Sequence, residues 1–503
     1  MIYFFIIYTL KGDQQYMKKR WMLVTDNYSN ITQKATDILY AEIAGLVNYV
    51  LPAKGLNNLT ETDKKEYNLI LIGKTGQNDI FSQLEAHGDL TVPFRAEGYG
   101  IYVGKSPLYD NRIIAIAGQD AHGVLYGCMD FCNKYLGNII HRKGDIWDES
   151  FFDALFEREL NPFKTTAFPA VKTRAVWTWG HVIYDYRSFF KNMARLRLNE
   201  VVIWNDRLPL NADEVVDFAH SLGIKLIWGF AWGWGVDCAD ILHNLNEDSL
   251  NLLKKSIIKT YTEEYKGTDC DGIYFQSFTE LHTDVIDGKC IAETVVNLVN
   301  EISSELFKIS PELHIQFGLH ATSVKNHLDY IRKVDNRIHI VWEDCGSFPY
   351  NYYADDVSDF DDTLKLTQEL VHLRGSDERF GAVLKGMPKL DWTRFEHFTQ
   401  SYILGERTNT FIHNRLHTKS TLWKKLQSDW LRNAEYARKI IQATADGSEE
   451  VIIQALIEDS LFENKIMFPA ALYAEMLWTP NRPVNEMIAD VAGYPCIRFA
   501  NEN

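Results

Sequence analysis

Two apolar runs in this chain stop at carboxylates. One is Asp271-Gly-Ile-Tyr-Phe-Gln-Ser-Phe-Thr-Glu280 and the other is Ile338-His-Ile-Val-Trp-Glu343-Asp344. A short apolar stretch that ends at an acid beside aromatics reads as a strand carrying a functional group to the edge of its sheet. Two carboxylates brought to one place can cleave a glycosidic bond, because one protonates the leaving oxygen while the other activates water or attacks the sugar. Glu280 follows Phe278 and Thr279. A carboxyl flanked by aromatics is partly desolvated, which suits a proton donor, so Glu280 is the candidate general acid. Glu343 and Asp344 offer the second carboxylate. Adjacent charges repel, so one of them would do the chemistry while the other binds a hydroxyl or orients its neighbour.

The elements that must position these acids repeat from residue 173 onward as a strand of five to eight residues followed by a helix. Strands are expected at 174–178, 200–204, 225–229, 272–278, 314–319, 338–342, 382–386 and 410–413, with helical stretches between them. The fold class is therefore α/β, a (β/α)8 barrel, whose functional groups gather at the carboxyl ends of the strands. A doubly wound open sheet would carry a glycine-rich dinucleotide turn after its first strand, and Trp177-Thr-Trp-Gly180 is not one. Residues just beyond the strands give the candidate substrate-binding set: Trp179, His181, Asn205, Asp206, Trp232, Trp234, His282, His320, Trp342, Asp391, Trp392 and His413. Carboxylates and amides suit hydroxyl groups, and tryptophans suit the apolar faces of sugar rings. Four of the histidines could gather with Glu280 around zinc or manganese, but no HxH or HExxH spacing supports this. No metal and no cofactor are expected, and a serine-hydrolase GxSxG elbow is absent.

The chain of 503 residues, 46% of them hydrophobic, can bury more than one core. Residues 1–20 read as a leader or a misassigned start, 21–165 as a small α/β domain, 172–417 as the barrel and 418–503 as a helical appendage. Gly73-Lys74-Thr75-Gly76 lacks the upstream glycine of a phosphate loop and reads as a strand-end turn. The net charge of −16 would repel polyanions, so neither nucleic acid nor an anionic membrane is expected as a partner. A carbohydrate substrate is the expected partner, and a homodimer is left open. Seven scattered cysteines without a CxxC pair read as reduced thiols. The apolar residues 1–10 have no basic flank and no small-residue cleavage site, and they are too short to span a bilayer. A cytoplasmic location follows as the expectation.

Arg95-Ala-Glu-Gly-Tyr-Gly-Ile-Tyr-Val103 and Ile113-Ile-Ala-Ile-Ala-Gly118-Gln-Asp-Ala-His-Gly123-Val-Leu-Tyr-Gly127 resemble the small α/β domain that precedes the barrel in two groups of enzymes. These are the β-hexosaminidases of glycoside hydrolase family 20 and the α-glucuronidases of family 67. Leu472-Tyr-Ala-Glu-Met-Leu-Trp-Thr-Pro480 resembles the helical region that follows such barrels. The resemblance implies a glycosidase with its acid after the fourth strand and activating carboxylates on later ones. That maps Glu280 to the acid and Glu343 or Asp391 to the base. Thr279 stands where family 20 places the Asp that orients an N-acetyl group, which argues against substrate-assisted cleavage of N-acetylhexosaminides. A uronic acid would want a cation, and Arg207, Lys385, Lys389 and Arg415 lie near strand ends. The expected function is cleavage of a terminal sugar from an oligosaccharide or glycoside. The alternatives are a non-catalytic carbohydrate-binding protein on the same scaffold and a metal-dependent hydrolase.

Overall fold

The computed structural model describes residues 19–26, 29–136, 160–205, 207–232, 246–280, 283–320, 324–343, 357–375, 378–384, 387, 400–457, 462–463 and 465–500. In the N-terminal domain six strands form one sheet in the order Ala53–Gly55, Trp21–Thr25, Asn68–Lys74, Arg112–Gly118, Tyr99–Lys105, Phe163–Ala167. The first four run parallel and the last two pairings are antiparallel. Ala53–Gly55 and Phe163–Ala167 carry too little hydrophobic patterning to be read as strands from sequence. Leu69, Leu71, Ile113 and Ala115 line one face with Phe81 and Leu84. The opposite face joins the outer layer of the barrel in one continuous core. Gly73 and Lys74 end the third strand and Thr75-Gly76 turns the chain after it, with Gly76 at φ +72°.

The glycine-rich motif of this domain is structural. Asp120 caps helix Ala121–Asp130, accepting from the backbone N–H of Gly123 at 2.8 Å and from that of Glu97 at 2.8 Å. A Cβ on Gly118 would lie 2.2 Å from the Val124 nitrogen, and one on Gly123 would lie 2.2 Å from the Gly98 carbonyl oxygen. Only glycine allows this close approach of helix to strand. Cys128 and Cys132 are buried on this helix and the π turn that continues it, and burial pushes both thiols up.

The eight barrel strands close in the order Gly272–Gln276, His314–Leu319, His339–Trp342, Phe380–Leu384, Val451–Leu456, Thr173–Trp179, Glu200–Trp204, Lys225–Gly229, every neighbour parallel. Seven strands fall where the alternation placed them. The eighth does not: residues 410–413 lie in helix Asn409–Thr418, whose first turn is capped by the Thr408 hydroxyl accepting from the Phe411 N–H at 3.2 Å. The barrel closes instead with Val451–Leu456, in a stretch expected to be helical. Its β-branched run alternates Ile452, Gln454 and Leu456 inward with Val451, Ile453 and Ala455 outward, which suits a strand packed on both sides. The barrel thus extends well past residue 417. Of the expected C-terminal helices, Ser420–Gly447 and Phe468–Trp478 are present. Among the described residues no helix is long and apolar enough to cross a membrane.

A buried charge network joins the domains. Arg174, at the start of the first barrel strand, pairs with Glu97 at 2.6 Å. Arg197 pairs with Asp130 at 2.7 Å and with Glu475 at 2.5 Å. The two guanidinium groups lie 5.1 and 4.5 Å from the ring centre of Trp478. Lys134 and Arg482 add further cations to Glu475, at 3.6 and 3.2 Å. Burial alone would raise the Glu475 carboxyl, but Lys134, Arg197 and Arg482 overcome it and hold the group down at about 2. On the same helix the Tyr473 hydroxyl bridges the carbonyls of Ala175 and Ile453, on the first and eighth strands, at 2.8 and 2.9 Å.

Inside the barrel Gln316 donates to Glu200 at 2.8 Å and Gln454 donates to Gln316 at 2.6 Å, linking the second, fifth and eighth strands. Burial pushes the Glu200 carboxyl up to about 7, against the opposing pull of Gln316.

Two stability predictions follow from these groups, with opposite signs. Glu475 titrates lower in the folded chain than its ordinary 4.5, so its contribution is complete above about pH 4.5 and lost as pH falls toward 2. Replacing it with Gln should cost about 3–5 kcal/mol at neutral pH, because Arg197 is left buried without full compensation. Urea titrations at pH 7 and pH 3 check this: the gap between wild type and Glu475→Gln should narrow in acid. Glu200 titrates higher than 4.5 in the folded chain, so stability should fall as pH rises from about 4.5 to about 7, by up to about 1 kcal/mol per pH unit, and level off above. Glu200→Gln should flatten that slope, and an unchanged slope would show that another group carries it.

Candidate active site

Strand alternation decides what the barrel mouth contains. On the sixth strand Val341 faces the interior, so Glu343, two residues on, faces inward as well. Its backbone N–H extends the sheet by donating to the Leu319 carbonyl at 2.9 Å. On the fourth strand the inward residues are Tyr274 and Gln276, and on the fifth they are Gln316 and Gly318, followed by His320. Three of these side chains converge on Glu343. Tyr274 donates its hydroxyl to Oε1, the Gln276 amide reaches Oε1 and Oε2 at 2.6 and 2.7 Å, and His320 Nε2 lies 3.2 Å from Oε2. Glu343 is only 3% exposed, and a buried carboxylate needs such partners. Gly318 makes the space for them: a Cβ there would lie 2.2 Å from Glu343 Oε1 and 2.5 Å from the Tyr274 hydroxyl.

The interior next to this carboxylate is aromatic. Trp177 lies 6.1 Å from Trp204, 5.8 Å from Tyr274 and 4.5 Å from Trp179, measured between ring centres. Gly229 on the third strand gives the Trp204 ring its room, since a Cβ there would approach it to 2.6 Å. Trp179, one of the expected sugar platforms, belongs to this inner cluster. His181 lies beside it in the short turn Gly180–Val182, and Asn205 is buried at the end of the second strand.

Trp232 and Trp342 are not at the mouth. Trp232 is fully buried and stacks on Phe275 with ring centres 3.6 Å apart, and Phe275 points outward from the fourth strand. Trp342 neighbours inward-facing Val341 and so turns toward the surrounding helices. Both are core residues, and the expectation that they stack on sugars is overturned. His413 is exposed on helix Asn409–Thr418 and follows no barrel strand. Of the cations considered for a uronic acid, Arg207 is exposed, and Arg415 donates to the Tyr184 hydroxyl at 3.2 Å. Glu280 closes the short turn Phe278–Glu280 directly after the fourth strand; its side chain lies outside the described residues. Asp206, Trp234, His282, Asp344, Asp391, Trp392, Lys385 and Lys389 also lie outside them.

Sequence reading missed Tyr274, Gln276, Gly318, Trp177 and Trp204. It looked just past the strands, whereas these residues lie within them. The signal that finds them is the period of two along each strand, counted back from Glu280, His320, Trp179 and Asp206. Among the described residues no group of three or more His, Cys, Asp or Glu side chains is placed to hold a metal ion.

No protein-family model and no curated protein sequence matches this chain. Solved structures similar to it are glycoside hydrolases. A family 20 exo-β-N-acetylglucosaminidase from Vibrio harveyi aligns with a TM-score of 0.47 and 8% identity, over 96% of this chain and 76% of that one. A family 18 chitinase from Pseudoalteromonas aurantia aligns at 0.35 and 11%, over 57% of this chain and 94% of that one. The O-GlcNAc hydrolase of Thermobaculum terrenum aligns at 0.36 and 11%, over 64% of each chain. The closed barrel is shown by its own strand ladders.

Gly318→Ala tests the packing around Glu343. The added methyl should force the carboxylate out of its place and cost about 1–3 kcal/mol. A lower urea midpoint, with Glu343 displaced in a crystal structure of the variant, is the expected result. An unchanged midpoint with Glu343 in place would show that the mouth is looser than these distances indicate.

Proposed function

We propose that this chain is a glycoside hydrolase that removes a terminal sugar by paired-carboxylate catalysis. Glu280 is the general acid and Glu343 the second carboxylate, acting as base or nucleophile; Asp344 binds or orients beside it. The observation that supports this most is Glu343 itself: a buried carboxylate at the carboxyl end of a barrel strand, held by Tyr274, Gln276 and His320 beside the aromatic cluster of Trp177, Trp179 and Trp204. Donors gathered on its oxygens favour negative charge, and a fixed negative charge stabilises the cationic sugar of the transition state. The aromatic cluster offers apolar faces to the ring. Glu280 follows the fourth strand, two strands away from the sixth, on the same mouth.

A second reading keeps one observation of its own. Both oxygens of Glu343 already accept from protein donors, which also suits a non-catalytic carbohydrate-binding protein.

The two readings part on mutant kinetics. A well-placed acid contributes roughly 10²–10⁴-fold, so Glu280→Gln should lose about that much on a natural glycoside. It should keep far more activity on an aryl glycoside whose acidic phenol leaves unaided. Glu343→Gln should lose activity on both. Sugar binding without turnover by the wild type, across a panel of aryl glycosides and oligosaccharides, would return the binding-protein reading.

A further inference from the structure

Thr279, the residue before the proposed acid, is fully buried, and its side chain is turned into the protein. The parallel ladder between the fourth and fifth strands pairs Gln276 with Gly318 and then ends, because the fourth strand bends into the turn Phe278–Glu280. Two residues past Gly318, the His320 backbone N–H is buried and needs an acceptor. The Thr279 hydroxyl supplies it at 3.2 Å. The fifth strand is joined in turn to the sixth: the Glu343 N–H donates to the Leu319 carbonyl at 2.9 Å, and the His320 ring reaches the Glu343 carboxylate at 3.2 Å. One hydroxyl thus stands one residue from Glu280 in the chain and one hydrogen bond from the residue that holds Glu343.

From this geometry we infer that Thr279 is a positioning residue: its hydroxyl carries the sheet one rung past the end of the fourth strand and so sets where the turn bearing Glu280 stands relative to His320 and Glu343. Being buried and committed to backbone, it does not touch substrate. Its effect is felt through the acid. The inference rests on the paired-carboxylate reading above.

Thr279→Val removes the acceptor at nearly constant volume, and Thr279→Ser keeps it. A reacting group shifted by about 1 Å loses on the order of 10²-fold. Thr279→Val should therefore lose roughly 10–100-fold in kcat on a natural oligosaccharide with KM little changed, yet stay within about threefold of wild type on an aryl glycoside with an acidic phenol. Thr279→Ser should match wild type on both. Thr279→Ala, which deletes the acceptor differently, is read in the same way if the Val variant does not fold. Equal losses on the two substrates, no loss on the natural one, or a Ser variant as impaired as Val would each overturn the inference. Glu280→Gln is assayed alongside. If it shows no contrast between the substrates, the carboxylate reading fails and takes this inference with it; if the contrast is present and Thr279→Val equals wild type, this inference alone fails.

Discussion

Charge that has been taken out of water must be met by opposite charge, and in this protein that requirement ties three regions of the chain together. Arg174 and Arg197 are almost wholly buried beside Trp478. Their acidic partners come from the N-terminal domain, through Glu97 and Asp130, and from the C-terminal helix, through Glu475. Removing any one acid leaves a guanidinium in a low-dielectric setting, which is far costlier than the pair is stabilising. The barrel therefore depends on both of its flanks. Tyr473, two residues from Glu475, holds the first and eighth strands from the outside, where the barrel closes.

The same constraint shapes the interior. Glu200, linked to a glutamine chain, escapes the cost of burial by staying protonated up to about pH 7. Glu343, nearer the mouth, is instead surrounded by donors from the fourth and fifth strands. Two buried acids in one barrel thus meet different surroundings: Glu200 opens its strand, whereas Glu343 follows the carboxyl end of its own. Gly318 and Gly229 serve this arrangement by leaving room for a carboxylate and for an indole ring.

The motifs that resemble other proteins turn out to be scaffold. Gly118, Asp120 and Gly123 bring a helix hard against its strand, Glu97 pairs with Arg174, and Glu475 and Trp478 complete the charge network. None of them lies at the mouth. A resemblance carried by such residues speaks to architecture, because packing and charge burial constrain them, and it does not carry over to a reaction.

Much of this was legible in the sequence because it is local. The strand-helix period marked seven of the eight barrel strands, the capping Asp120 and its glycines marked the N-terminal domain, and the apolar run into Glu343 marked a carboxylate at a strand end. The eighth strand was not legible: Val451–Leu456 is a short apolar run that becomes a strand because local propensity yields to the gap left between Phe380–Leu384 and Thr173–Trp179.

 The sheet edges on either side decide it, and they exist only in the folded barrel. Trp232 and Trp342 were misplaced for a related reason: which face of a strand a residue occupies follows from its register against the neighbours, and a shift of one residue exchanges mouth for core. Composition and spacing alone determined that this chain builds an α/β barrel with acids at its strand ends. The tertiary structure alone decided which side chains meet Glu343, because Tyr274 and Gln276 come from the fourth strand and His320 from the end of the fifth, and they are brought within hydrogen-bonding distance of the sixth only by the curvature and closure of the sheet.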